Sequence, residues 1–125
     1  MADLEIVLEN IVLYTQPVKG EWCLIFLKCN NEIIKLGEED RSIFLERLTV
    51  LFNYDLAEIN GQIENLDVTW IASLAESHCA IYAGIKNDNL CIFFVSQSGE
   101  IIERVELSRI EAKRRLEQLK ALIKK

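Results

Sequence analysis

The sequence predicts an α+β domain in which antiparallel meanders are each followed by an amphipathic helix. The approximate order is βββα-ββββα, with the helices covering one side of a curved sheet. Three observations carry this. Apolar segments dense in Ile, Val and Phe recur at 21–29, 79–86 and 90–96 between clusters of Asn, Gly and Ser. Two other segments, ending near Asn53 and starting at Ser108, repeat their apolar residues at helical spacing instead. Finally, 125 residues, half of them apolar and 27% charged, suit one soluble core spanning 1–125, without a linker or low-complexity stretch.

Taken in order, 4–15 (LEIVLENIVLYT) fits two periods. Leu4, Val7, Leu8 and Ile11 mark a helical stripe, whereas Leu4, Ile6, Leu8, Val12 and Tyr14 share a strand face. The density of Ile and Val favours a strand. The sequence QPVKG at 16–20 then punctuates the chain. Residues 21–29 read as a strand apolar on both faces, Asn30 and Asn31 as a turn, and 32–36 as a short returning strand. Glu38, Glu39 and Asp40 suit the positive end of a helix that runs to about Asn53 with Phe44, Leu48, Leu51 and Phe52 on its stripe. The stretch 54–66 has little pattern beyond a turn signal at Asn60 and Gly61.

From Val68 the chain reads as a meander of 68–76, 79–86, 90–96 and 100–107, although the Ala-rich piece 70–80 also fits a helix. Ser108 followed by Glu111 makes a capping box for the last helix, whose stripe is Ala112, Leu116, Leu119 and Ile123. The expected core includes Leu24, Phe26, Leu48, Leu51, Ile92, Phe94, Leu116 and Leu119. Strands 21–29 and 90–95, apolar on both faces, need cover on both sides. Two helices supply one side only, so curling of the sheet or a second copy must supply the other, and a homodimer is expected.

Charge is segregated. Residues 104–125 hold eight basic and three acidic residues, and the rest of the chain six basic and seventeen acidic, for a net charge of −6. Unbroken apolar runs reach only six residues, as at 22–27, far short of the ~20 that a membrane span needs. Asp3, Glu5 and Glu9 stand where a signal peptide carries positive charge. A cytoplasmic protein without a membrane role is expected, with its four cysteines reduced.

Catalytic chemistry has few footholds. His78 and Cys79 adjoin, but neighbours on a strand point to opposite faces. Successive cysteines are too widely spaced for a zinc motif, leaving Cys79, Cys91 and His78 as residues that only folding can gather for a cysteine- or metal-dependent enzyme. No glycine-rich phosphate loop or dinucleotide fingerprint is present. No cofactor, metal or catalytic residue is therefore expected.

Two binding readings follow. An acidic face of Glu38, Glu39, Asp40, Asp55, Glu58, Glu64 and Asp67 would steer a basic protein partner, as in an inhibitor, immunity-type or accessory protein. Alternatively Arg109, Lys113, Lys120 and Lys124, on one flank of the last helix, would follow phosphates while Trp22, Trp70, Tyr82, Phe93 or Phe94 stack bases. The layout of meanders each closed by a helix resembles the Whirly-type single-stranded nucleic-acid-binding architecture, which implies that second activity by analogy of layout. The acidic reading leads, because a negative net charge opposes attraction to a polyanion.

Overall fold

A computed structural model describes residues 4–123. Strands β1 (Leu4–Leu8), β2 (Ile11–Lys19), β3 (Trp22–Cys29) and β4 (Glu32–Asp40) form an antiparallel sheet in sequential order, and α1 (Arg41–Phe52) follows. Strands β5 (Gly61–Ile63), β6 (Leu66–Ser73), β7 (Ala80–Lys86), β8 (Asn89–Val95) and β9 (Ile101–Leu107) form a second sequential sheet, closed by α2 (Arg109–Ile123). The α+β class and the repeated plan of meander then helix stand. Each half has one strand more than expected, and the two meanders form two sheets.

The extra strand in the first half comes from a hairpin inside 4–15. Glu9 takes φ 50 at the turn and Leu8 pairs with Ile11. The turn resets the alternation, so that Leu4, Ile6 and Leu8 point inward and are followed inward by Ile11, Leu13 and Thr15. Val12 and Tyr14 consequently face outward. In the second half the hairpin turns at Glu64 and Asn65, both at positive φ, and not at Asn60 and Gly61. Asn60 instead lies beside β6, donating its backbone N–H to Val68 O at 2.8 Å. The Ala-rich piece is strand up to Ser73.

The inward face of β3 is Cys23, Ile25 and Leu27; Leu24 and Phe26 lie half-buried on the other face, contrary to expectation. A strand apolar on both sides has no alternation of its own, and its neighbours decide: Ile25 pairs with Thr15 and Leu27 with Leu13. The helix start also differs. β4 continues to Asp40, which caps α1 by accepting from Ile43 N at 3.2 Å, so Glu38 and Glu39 belong to the strand. They are held there by a bridge between the sheets, in which Glu38 N donates to Ala75 O at 3.1 Å and Ala75 N to Glu38 O at 2.9 Å. Gly37 permits the approach, since with φ +151 it would place a Cβ 2.6 Å from Ala75 O and from Leu74 Cβ.

One core joins both halves. Ile6, Leu13, Ile25 and Leu27 of the first sheet meet Ile81, Ile92, Phe94 and Leu107 of the second through Phe44, Leu48, Leu51 and Phe52 of α1 and Ala112, Leu116 and Leu119 of α2. Ile123 is half-exposed, off the expected stripe. Strand β8 is covered on both faces: Leu90, Ile92 and Phe94 point into the core, while Cys91 and Phe93 join Val68 in a satellite cluster flanked by Ile63, Leu66 and Tyr82. Leu66 closes on Gly84, where any Cβ would strike Leu66 and Asp67 O. Curling of the β5–β6 hairpin thus supplies the cover that a second copy was expected to give β8. No described helix is long and apolar enough to cross a membrane.

Candidate interaction surface

The seven acids singled out in the sequence fall into two groups. Glu38, Glu39 and Asp40 are engaged within the chain. The Glu38 carboxylate accepts from Trp22 Nε1 at 2.6 Å and from Lys35 Nζ at 3.4 Å. The indole N–H first, and then Lys35, hold it below the usual carboxylate range. The Glu39 carboxylate accepts from Asp40 N at 2.8 Å, and Asp40 is the α1 cap. None of the three is fully exposed.

Asp55, Glu58, Glu64 and Asp67 are exposed and are spread along the stretch from the end of α1, through the β5–β6 turn, into β6. Thr69 Oγ1 donates to Glu58 O, and Trp70 N donates to Asn60 Oδ1 at 2.6 Å, so 58–60 runs alongside 68–70. Glu64 pairs with Arg104 at 2.5 Å across the surface, and Asp67 accepts from Gln62 Nε2 at 2.9 Å. Between Arg47 and Lys86 the chain has no Lys or Arg and five acids, although folding brings Arg104 to Glu64 and Arg47 to Trp70. On this run Trp70 remains 37% exposed with Arg47 stacked 4.9 Å over its ring, and Ile59 beside it is 67% exposed. Sequence reasoning found these acids and this Trp separately. The signal that would have joined them is the cation-free run itself.

The basic flank is broken up. Arg109 forms a two-pronged pair with Asp88, with its Nη2 2.8 Å from Oδ1, and lies 4.1 Å over the Tyr54 ring. Its pKa is raised by that hydrogen bond, and that of Asp88 is lowered by the same contact. Lys113 and Lys120 are exposed without an ion pair among the described residues, and Lys124 lies outside the described residues. Of the supposed stacking aromatics, Phe93 and Phe94 are buried. Trp70, Tyr82 and Phe93 do form one cross-strand row, ending at Arg104, but it is on the face of the second sheet opposite the core that α2 covers. Aromatics and helix lysines do not converge. Ion pairs Arg104–Glu64 and Arg109–Asp88 neutralise part of the charge segregation within one copy.

Folding does not gather the thiols either. Cys79 lies in the main core and Cys91 on the satellite side of the same sheet, while His78 is exposed in a turn. Burial pushes the Cys79 thiol up to about 11 and raises Cys91, the latter helped by Glu106, which is the wrong direction for a nucleophile. Among the described residues no three His, Cys, Asp or Glu stand close enough to hold a metal ion. A depression of about 610 Å³ is an open groove between α1 and the end of α2, lined by Leu45, Val50 and Leu122 and by Glu21, Arg41 and Glu46. Comparison of the chain with protein-family models, curated proteins and solved structures finds no match.

Proposed function

We propose that the chain is a non-catalytic protein-interaction domain that docks a basic partner on the edge formed by 55–70. The observation that supports this is exposed Trp70 and Ile59 next to Glu58, with Asp55, Glu64 and Asp67 exposed elsewhere along a sequence run that contains no Lys or Arg. Exposed Trp and Arg are the residues that most often dominate binding energy, and Arg47 already holds the Trp70 ring in place. The acids would speed encounter with a positive partner and repel negative ones, while the apolar centre would supply the slow dissociation. The nucleic-acid alternative has weaker support, because Arg109 is already engaged and the helix lysines lie across the sheet from the aromatic row.

The test is capture from native host lysate on immobilised chain, compared across wild type, Trp70→Ala and the double variant Asp55→Lys with Glu58→Lys. A basic protein should be retained by wild type at low salt and released progressively as ionic strength rises. Trp70→Ala should weaken its binding by roughly 30-fold or more, the scale of a hot-spot truncation, and the charge reversal should slow its association. Retention indifferent to all three substitutions, or recovery of nucleic acid in place of protein, would overturn the reading.

A further inference from the structure

The outer face of the first sheet carries a run of apolar side chains that no other element of the described chain packs over. It presents Val7, Val12, Tyr14, Trp22, Leu24, Phe26 and Ile33, with Tyr14 and Phe26 stacked at 5.1 Å between ring centroids and 18° between planes. Val7 is 51% and Ile33 59% exposed. We propose that this face binds the same face of a second copy, forming a two-fold dimer; this surface is separate from the 55–70 edge and does not depend on the partner proposed there.

The register identifies the occupant. One cross-strand row reads Glu5, Tyr14, Phe26, Lys35 from β1 to β4, with acid at one end, aromatics between and base at the other. A two-fold axis parallel to the strands and passing between β2 and β3 reverses this order in the facing copy. Glu5 of each copy then stands opposite Lys35 of the other, a lysine shared with Glu38 of its own chain, and Tyr14 opposite Phe26. The adjoining row, Val7, Val12, Lys28, Ile33, places Val7 against Ile33 under the same operation, and the stem of Lys28 against Val12. An axis along the rows would instead set Glu5 against Glu5. The row is thus complementary to itself in one orientation only, as an isologous contact requires. Sheets stacked this way lie ~10 Å apart with side chains interleaved. A depression of about 190 Å³ bounded by Glu5, Val12, Tyr14, Lys28 and Ile33 offers room for a side chain of the facing copy. Four strands ~4.8 Å apart, one of five residues and three of eight or nine, give a footprint on the order of 500 Å² in plane. Its corrugated accessible area approaches the ~800 Å² per partner of a standard interface.

Sedimentation equilibrium of the full chain tests this, with circular dichroism verifying each variant. Wild type should sediment at twice the 14.4 kDa chain mass. Ile33→Glu, at a position already exposed, should weaken association by about tenfold or more, because its carboxylate would be desolvated against Val7 of the facing copy with only Lys28 of its own sheet beside it. Glu5→Lys and Lys35→Glu should each weaken it by about tenfold, and together return it to within about threefold of wild type. That rescue distinguishes the facing pair from a general loss of fold. A monomer at about 0.5 mM overturns the proposal, since standard interfaces associate well below that. So does a dimer indifferent to Ile33→Glu, or a monomer that binds a short oligothymidylate through Tyr14 and Phe26.

Discussion

Thr15 points into the core from β2 with no exposed area, opposite Leu4 and Ile25, and its hydroxyl has no hydrogen-bond partner among the described residues. A buried donor left unpaired costs ~1–3 kcal/mol, whereas a methyl of the same shape costs nothing there. Thr15→Val should therefore raise stability by about 1 kcal/mol, read as a later urea midpoint with an unchanged slope. A lower midpoint would mean that the hydroxyl has a partner in solution. At this scale legibility depended on alternation. In β8 both faces are buried, so the expectation for Ile92 and Phe94 held whichever way the strand turned. In β3 only one face is buried, and Leu24 and Phe26 were assigned to the wrong one because Trp, Cys, Leu, Ile, Phe and Leu in succession give no phase. The same loss of phase concealed the outward Tyr14–Phe26 stack.

Among the elements, α2 was the most legible, because its start is written in side-chain chemistry. Ser108 N donates to Glu111 Oε1 at 3.0 Å and Glu111 N donates to Ser108 Oγ at 3.2 Å, closing the expected capping box. The Ser108 backbone N–H and then its hydroxyl hold the Glu111 carboxyl below its ordinary 4.5. A depressed carboxyl stabilises the fold above its unfolded pKa, and that contribution is lost as pH falls through the folded value. Ser108→Ala should cost about 1 kcal/mol near neutrality. Glu111→Gln should also be less stable than wild type near neutrality, and that difference should narrow as pH drops below 4.5, where Glu111 protonates. A gap constant down to acid unfolding would remove the carboxylate from the explanation. By contrast the start of α1 was misplaced, since three consecutive acids look like a first helical turn. What keeps Glu38 and Glu39 in β4 is the bridge to Ala75, a contact across 37 positions that no local pattern announces.

For the whole molecule, class, repeated plan and capping were readable from local chemistry, while the sheet-to-sheet bridge, the curl over β8 and the stacking of Arg47 on Trp70 are long-range consequences. Those contacts also determine how the molecule opens. The two meanders form separate sheets, yet their inner faces and both helices share one core, and Arg115 Nε donates to Val7 O at 2.8 Å, tying the last helix to the first strand. Halves built this way should unfold together. Cys23 in the first half and Cys79 in the second are both buried to 1% exposure in that core and serve as reporters. Alkylation of each in increasing urea, resolved by mass spectrometry of peptides, measures the opening free energy at each site. One cooperative unit predicts equal values with equal urea dependence, both matching global unfolding. Cys91, on the satellite cluster under the β5–β6 hairpin, should react at lower urea through local opening of that hairpin. A Cys79 that reacts well before Cys23 would instead divide the chain at α1 and show the shared core to be a docking surface between two units.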